Sequence, residues 1–173
     1  MKKILIGIII AILSSTIFIG CTSQIQTQEP PKLTITIGEE KLQYVTAKNR
    51  WNGELFDMQN AFKNILKEGS KIEPPYIEFG ELAVITFENN PPDKFTISDI
   101  LLDIKGAKKF FTPIISIPFE LKDGKCSFEI VKNIETGLDS YWAPNMTYFR
   151  GFKMTASWGE NQCEYDFIIK TAR

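Results

Sequence analysis

Three cysteines, no histidine and a scatter of single carboxylates define the chemistry open to this 173-residue chain. Without an imidazole there is no Ser-His-Asp or Cys-His nucleophile, no histidine general base and no histidine-rich zinc site. Cys126 and Cys163 form an even pair once Cys21 is set aside. They could bridge if their Cα atoms lie about 4.4–6.8 Å apart, which would contribute roughly 2–4 kcal/mol. Otherwise each is a small buried hydrophobe with a free thiol. A catalytic thiol has no histidine to lower its pKa, and two isolated cysteines serve zinc poorly. Asp99 and Asp103 would face one another only on a helix. On a strand they share a side but sit some 13 Å apart at roughly 3.3 Å per residue. Asp93 and Asp139 lie where a loop calcium site could recruit them, although no calcium-loop motif is present. Phosphate-cradling glycine loops and Gly-x-Ser-x-Gly or Ser-x-x-Lys motifs are absent. The most distinctive loop is Asp139-Ser140-Tyr141-Trp142-Ala143-Pro144-Asn145, where Tyr141 and Trp142 stand outside any alternating run. Loop aromatics can stack on sugars or anchor a partner. The competing reading is that Trp142 plugs one end of the core.

The N-terminus carries a different kind of chemistry. Lys2 and Lys3 precede an apolar stretch from Ile4 to Ile19, followed by Gly20-Cys21 and a polar segment. A basic start, an apolar middle and a small residue before the cut mark a secretory signal, and the stretch falls short of the roughly 20 apolar residues of a spanning helix. Phe18-Ile19-Gly20-Cys21 resembles the cleavage region of bacterial lipoprotein signals, with Phe18 where leucine is usual. The resemblance implies lipidation of Cys21 and retention on the extracytoplasmic face of the cell membrane, since two acyl chains hold a protein stably where one does not. An uncleaved anchor helix and a plain signal peptide cut elsewhere are the alternatives. The expected organisation is a signal peptide over residues 1–20, a tether over 21–31 stiffened by Pro30-Pro31, and one domain over 32–173.

Removing the signal leaves about 150 residues, enough for a substantial core. The chain's formal charge is −1, and no basic run suited to nucleic acid is present. Alternating apolar residues predict strands: Leu33 to Ile37 with a return from Leu42 to Thr46, Leu82 to Phe87, and Phe95 with Ile97. The apolar phase then shifts to Ile100, Leu102 and Ile104, which predicts a bulge near Asp99, with a short helix over Ser98 to Lys105 as the alternative. Asp123-Gly124 predicts a two-residue hairpin pairing Leu121 with Cys126, Phe119 with Phe128 and Ile117 with Ile130. Pro118, lacking an N–H, must sit away from a ladder partner. A final hairpin turning at Glu160-Asn161 would pair Trp158 with Cys163 and Met154 with Phe167. One amphipathic helix is predicted near residues 54–68 from Leu55, Met58, Phe62, Ile65 and Leu66, with Asn52 or Asp57 as cap, Gly69 at its end and Trp51 packed beneath it. The fold class is therefore mostly β: a two-layer antiparallel sandwich, immunoglobulin-like, with a small barrel as the runner-up.

Trp51-Asn52-Gly53, Asp57, Ile65-Leu66, Pro74-Pro75, Ile77, Phe87, Pro92-Asp93-Lys94-Phe95 and Ser98-Asp99 with Leu101-Leu102 form a scattered pattern. Together with Gly151-Phe152-Lys153, Trp158-Gly159 and Tyr165-Asp166-Phe167, it resembles a family of small, uncharacterised lipoproteins of low-GC Gram-positive bacteria. The resemblance implies an immunoglobulin-like sandwich on a lipid anchor, with no enzymatic activity, no cofactor and no agreed ligand. The expected function is accordingly non-catalytic binding of a protein or cell-envelope component at the membrane surface. The alternative is a histidine-free, carboxylate-dependent hydrolase at the cell surface, which would need two carboxylates facing one cleft.

Overall fold

A computed structural model describes residues 29–141, 143 and 145–173. Cys21 and the leader lie outside the described residues, as does Trp142.

Two antiparallel sheets pack face to face. Their strands are β1 (Leu33–Ile37), β2 (Glu40–Leu42), β3 (Val45–Trp51), β4 (Glu54–Asp57), β5 (Leu82–Phe87), β6 (Lys94–Leu102), β7 (Ile115–Ser116), β8 (Glu120–Lys122), β9 (Lys125–Glu129), β10 (Thr147–Trp158) and β11 (Asn161–Ala172). The five-stranded sheet runs β2-β1-β5-β9-β8 and the six-stranded sheet runs β4-β3-β11-β10-β6-β7. Within them, β1-β5-β9-β8 and β11-β10-β6 reproduce the ABED and GFC orders of the immunoglobulin sandwich. The β2 strand and the β3–β4 hairpin are additions at one edge. Period-two patterning drives this arrangement: Leu33, Ile35, Ile37, Ile85 and Phe128 of one sheet face Phe152, Met154 and Phe167 of the other in one interior, with Phe119 packed against them.

The Asp123-Gly124 turn forms as its residues demand, with φ of 51° and 73°, and pairs Leu121 with Cys126. The pairing does not extend to Phe119 and Ile117. Pro118 breaks the ladder, and the chain crosses between sheets there, so that the Ile117 N–H donates to the Ile97 carbonyl of the opposite sheet at 2.9 Å. The last hairpin turns one residue earlier than expected. Gly159, at φ 57°, takes the first central position, which a II′-type turn reserves for glycine. Trp158 therefore lies opposite Asn161, Ala156 opposite Cys163 and Phe152 opposite Phe167. This two-residue shift of partners leaves every side chain on its expected face.

The helix is shorter than its periodicity predicted. Asn52-Gly53 makes a hairpin turn with φ of 51° and 84°, so residues 54–57 return as β4 and Leu55 is 79 % exposed. Helix α1 spans only Ala61–Leu66, with Asn60 rather than Asn52 or Asp57 at its N-cap, and Gly69 follows its end. It lies over the outer face of the six-stranded sheet, where Phe62 and Ile65 join Ile100, Leu102 and Ile168 in a second core. Trp51 is not beneath it: its ring meets Trp158 edge to face at 5.3 Å inside the sandwich.

This second core also explains the phase shift in β6. The strand pairs with β10 without a break from Lys94 to Leu102, and there is no bulge at Asp99. Phe95, Ile97, Asp99 and Leu101 all point inward, while Ile100 and Leu102 point outward under the helix. A strand end covered on both faces looks like a change of phase in sequence.

Candidate functional site

The continuous phase of β6 carries Asp99 into the sandwich, where Arg150 of β10 meets it. The two are diagonal neighbours, since Asp99 lies opposite Phe152 and Arg150 opposite Leu101. Both side chains are almost wholly buried. Arg150 Nη2 donates to Asp99 Oδ2 at 2.6 Å and Nε to Oδ1 at 3.2 Å, a bidentate fork. Arg150 Nη1 donates to the Val131 carbonyl at 2.7 Å, and Asn133 Nδ2 donates to Asp99 Oδ2 at 2.9 Å. Asn133 also accepts from the Glu135 N–H at 2.8 Å, capping a 3₁₀ segment over Ile134–Leu138.

This polar knot closes the floor of an apolar pocket of about 320 Å³ at the edge where β6 and β7 face β9. Ile115, Ile117, Pro118, Phe128 and Phe152 line its walls. At its rim Val131 is 55 % and Ile134 81 % exposed. Pro118 is part of the reason the pocket exists, because the chain crosses between sheets there instead of sealing the edge with a paired strand. The volume is at the small end for ligand pockets, which typically run about 300–1,000 Å³, and suits an apolar side chain or small moiety seated against a fixed guanidinium.

The 3₁₀ segment leads from this rim into the loop singled out by its aromatics. Tyr141 is exposed, and its N–H donates to Asp139 Oδ1 at 3.1 Å. Asp139 is pinned from three further directions: Lys109 pairs with its carboxylate, Tyr148 donates its hydroxyl at 2.9 Å, and Arg173 donates to its carbonyl at 2.7 Å. Lys109 foremost, with the Tyr148 hydroxyl and the Tyr141 N–H, holds the Asp139 carboxyl below the usual carboxylate range. Tyr148 stands at the start of the strand equivalent to F and bonds back across the preceding corner, as a tyrosine corner does, here to a carboxylate instead of the backbone. Asp139 thus anchors the loop, while Asp93 accepts from the Gly159 N–H at 2.7 Å.

The other sequence candidates are not brought together. Asp103 lies past the end of β6, where its carboxylate accepts from the Lys105 and Ala107 N–H groups at 2.8 and 2.9 Å and shapes a turn. Cys126 and Cys163 are buried, unbridged thiols on opposite sheets. They occupy the strands equivalent to E and G, whereas the immunoglobulin disulfide joins B and F. Burial pushes their pKa values up to about 12 and about 11, away from reactivity.

A second hollow, of about 560 Å³, lies on the outer face of the six-stranded sheet beside α1. Asp166 of β11 lines it at 1 % exposure, and Glu164 and Asp57 line it as well. Glu164 pairs with Lys153 at 3.1 Å and Asp57 with Lys48 at 3.7 Å. Asp166 has no such lysine contact, and its Oδ1 is buried without a hydrogen-bond partner. Burial pushes its carboxyl up to about 7, with Glu164 adding to the rise and Lys153 and Lys48 opposing it.

Sequence reasoning passed over Arg150, Asn133 and Asp166. The signal for Arg150 was available: it falls in phase with Phe152 and Met154 on a core-facing side, a position where an unpaired charge is untenable. Asp166 left no comparable trace, because the outer face of β11 alternates polar residues as any solvated strand does. Among the described residues, no group of three or more Cys, Asp or Glu side chains is placed to hold a metal ion, and no helix is long and apolar enough to cross a membrane. No protein-family model matches the chain, and no curated protein matches it.

Proposed function

We propose that this protein is a non-catalytic binding module, held on the extracytoplasmic face of the cell membrane by lipidated Cys21, that docks a protein or cell-envelope partner at the open edge of its sandwich. The single observation that carries the docking site is the apolar pocket floored by the Arg150–Asp99 pair, with Val131 and Ile134 exposed at its mouth. Buried ion pairs rarely add stability over apolar packing; a guanidinium fixed at the end of an apolar slot can orient what enters. The favoured occupant is an apolar side chain of the partner, with the neighbouring Tyr141 loop as a second contact. The address rests on the leader sequence and on the likeness to small Gram-positive lipoproteins.

The hydrolase alternative asks for two working carboxylates in one cleft. In the outer hollow, Glu164 and Asp57 are engaged by lysines, which leaves Asp166 alone. That arrangement favours binding over hydrolysis.

The test is site-specific photo-crosslinking in cells from position 134, with Val131→Asp as control. A reproducible adduct that disappears in the Val131→Asp protein is the expected result. No adduct, or one indifferent to that change, removes the docking site. Mass spectrometry of the membrane-extracted protein tests the anchor separately; a free or internal Cys21 sinks it.

A further inference from the structure

We propose that the outer face of the six-stranded sheet is a separate site for an uncharged, hydroxyl-rich oligosaccharide, with the Asp166 carboxylate as the acceptor at its floor. The pocket between the sheets plays no part in this, so the two sites stand or fall independently.

A carboxyl 1 % exposed with one oxygen buried and unpartnered is costly to keep. Its cross-strand neighbours on the sheet are Lys153 and Val45, and Lys153 is committed to Glu164. Asp166 Oδ1 has no hydrogen-bond partner among the described residues, and the carboxyl lines a hollow open to a ligand.

That hollow continues into a second of about 630 Å³ through three shared lining residues, Lys48, Asp57 and Glu164. Arg50, Thr155 and Gln162 line the extension, and the β3–β4 hairpin adds Leu55 and Phe56. The result is a long trough on a sheet surface, with donors and acceptors interleaved along the floor and the exposed Leu55 side chain beside it, on the same face as Lys48, Arg50 and Asp57. Sugar hydroxyls both donate and accept, so they match lysine, arginine and glutamine donors next to carboxylate acceptors. An apolar sugar face suits the Leu55 side chain.

Charge selects against the other ligand classes. A phosphate would meet Asp166 and Glu164, and with Lys48 and Lys153 already paired it would have only Lys63 and Lys108 of the lining to hold it. A cation would meet Lys48, Lys63, Lys108 and Lys153 around the same hollow. A neutral polyol offends neither set.

Isothermal titration of the full-length chain in detergent tests this with two probes, the β-1,4-linked hexamers of N-acetylglucosamine and of glucose, and with glycerol phosphate as the anionic comparison. Saturable binding of at least one hexamer is expected, weakened about tenfold or more in Asp166→Leu and several-fold in Leu55→Ala. Leu55 is exposed enough for its variant to keep the fold, and melting curves establish that both variants remain native. The proposal is overturned if neither hexamer binds, if both variants bind as the parent does, or if glycerol phosphate binds in their place.

Discussion

Asp99 and Asp166 are both almost wholly buried, on opposite faces of one sheet, and they are treated oppositely. Asp99 receives a bidentate guanidinium and an asparagine amide, so its charge is matched in place. Asp166 receives no hydrogen bond at Oδ1, and its nearest lysines belong to other carboxylates. Satisfied polar networks fix a structure; an unsatisfied buried group costs stability and is retained where function needs it. The difference separates a part of the molecule built to stay rigid from a part built to be completed by something else.

The contrast breaks most visibly at Arg150. Arg150→Met keeps the length and removes the charge, stranding Asp99 among apolar walls. A loss of about 3–5 kcal/mol is expected in denaturant unfolding, as for other broken buried pairs. Adding Asp99→Leu to that variant should recover most of the loss, because no charge is then left unpaired. If the double variant is as unstable as the single one, the network is not the rigid element described here.

Asp166 should respond with the opposite sign. Its carboxyl is raised to about 7 in the folded chain against about 4 when unfolded. Between those values the folded chain holds a proton that the unfolded chain has released, so stability falls as pH rises from about 4 to about 7 and stays lost above. Asp166→Asn removes that loss. The variant should match the parent near pH 4 and exceed it at pH 8 by an amount on the order of 2 kcal/mol, with about 4 kcal/mol as the ceiling. Thermal melts across the range read this directly. A parent and variant that differ equally at both ends would mean the carboxylate is satisfied after all.

The same contrast explains what could be read before the fold was known. Alternation in β1, β5, β9 and the last hairpin is a strong signal because one face of each strand is buried, and it placed Phe128, Met154 and Phe167 in one interior. It failed wherever both faces are covered. Ile100 and Leu102 pack under α1, and their apolar character disguised an unbroken strand as a bulge. Leu55 and Met58 imitated a helical face, while Asn52-Gly53, a stronger local signal, was turning the chain into β4. Neither pocket was legible. Arg150 and Asp99 are 51 residues apart and meet only through the β6–β10 register, and the isolation of Asp166 is a property of its neighbours' pairings rather than of its own sequence.

Gly151 sits beside Arg150 on β10 and sharpens the comparison between the two faces. A Cβ there would lie 2.8 Å from Phe62 Cζ and 2.9 Å from Leu102 Cδ1, where the helix ring rests on the strand. Gly151→Ala should therefore lift α1 and cost about 1–3 kcal/mol, in the range of overpacked cores. The effect should be confined to the outer face. Amide exchange is expected to quicken in Ala61–Leu66 while the Asp99–Arg150 region keeps its protection; equal loosening on both sides would show that the two cores behave as one.

The smallest effect is expected at Gly53, where φ is 84° and no heavy atom lies within 4 Å of an added Cβ. Gly53→Ala therefore meets no steric contact, and its cost is conformational only, about 1 kcal/mol for a residue forced into left-handed backbone. Its value lies in where the cost falls. The turn sets the register of β3 against β4, opposing Lys48 to Asp57 and Arg50 to Leu55, and so shapes the wall of the outer trough. A rearranged turn should weaken hexasaccharide binding while leaving crosslinking from position 134 unchanged, since no residue of that hairpin lines the pocket between the sheets. Loss of both functions from so mild a change would mean that the trough and the pocket are coupled through the sheet they share.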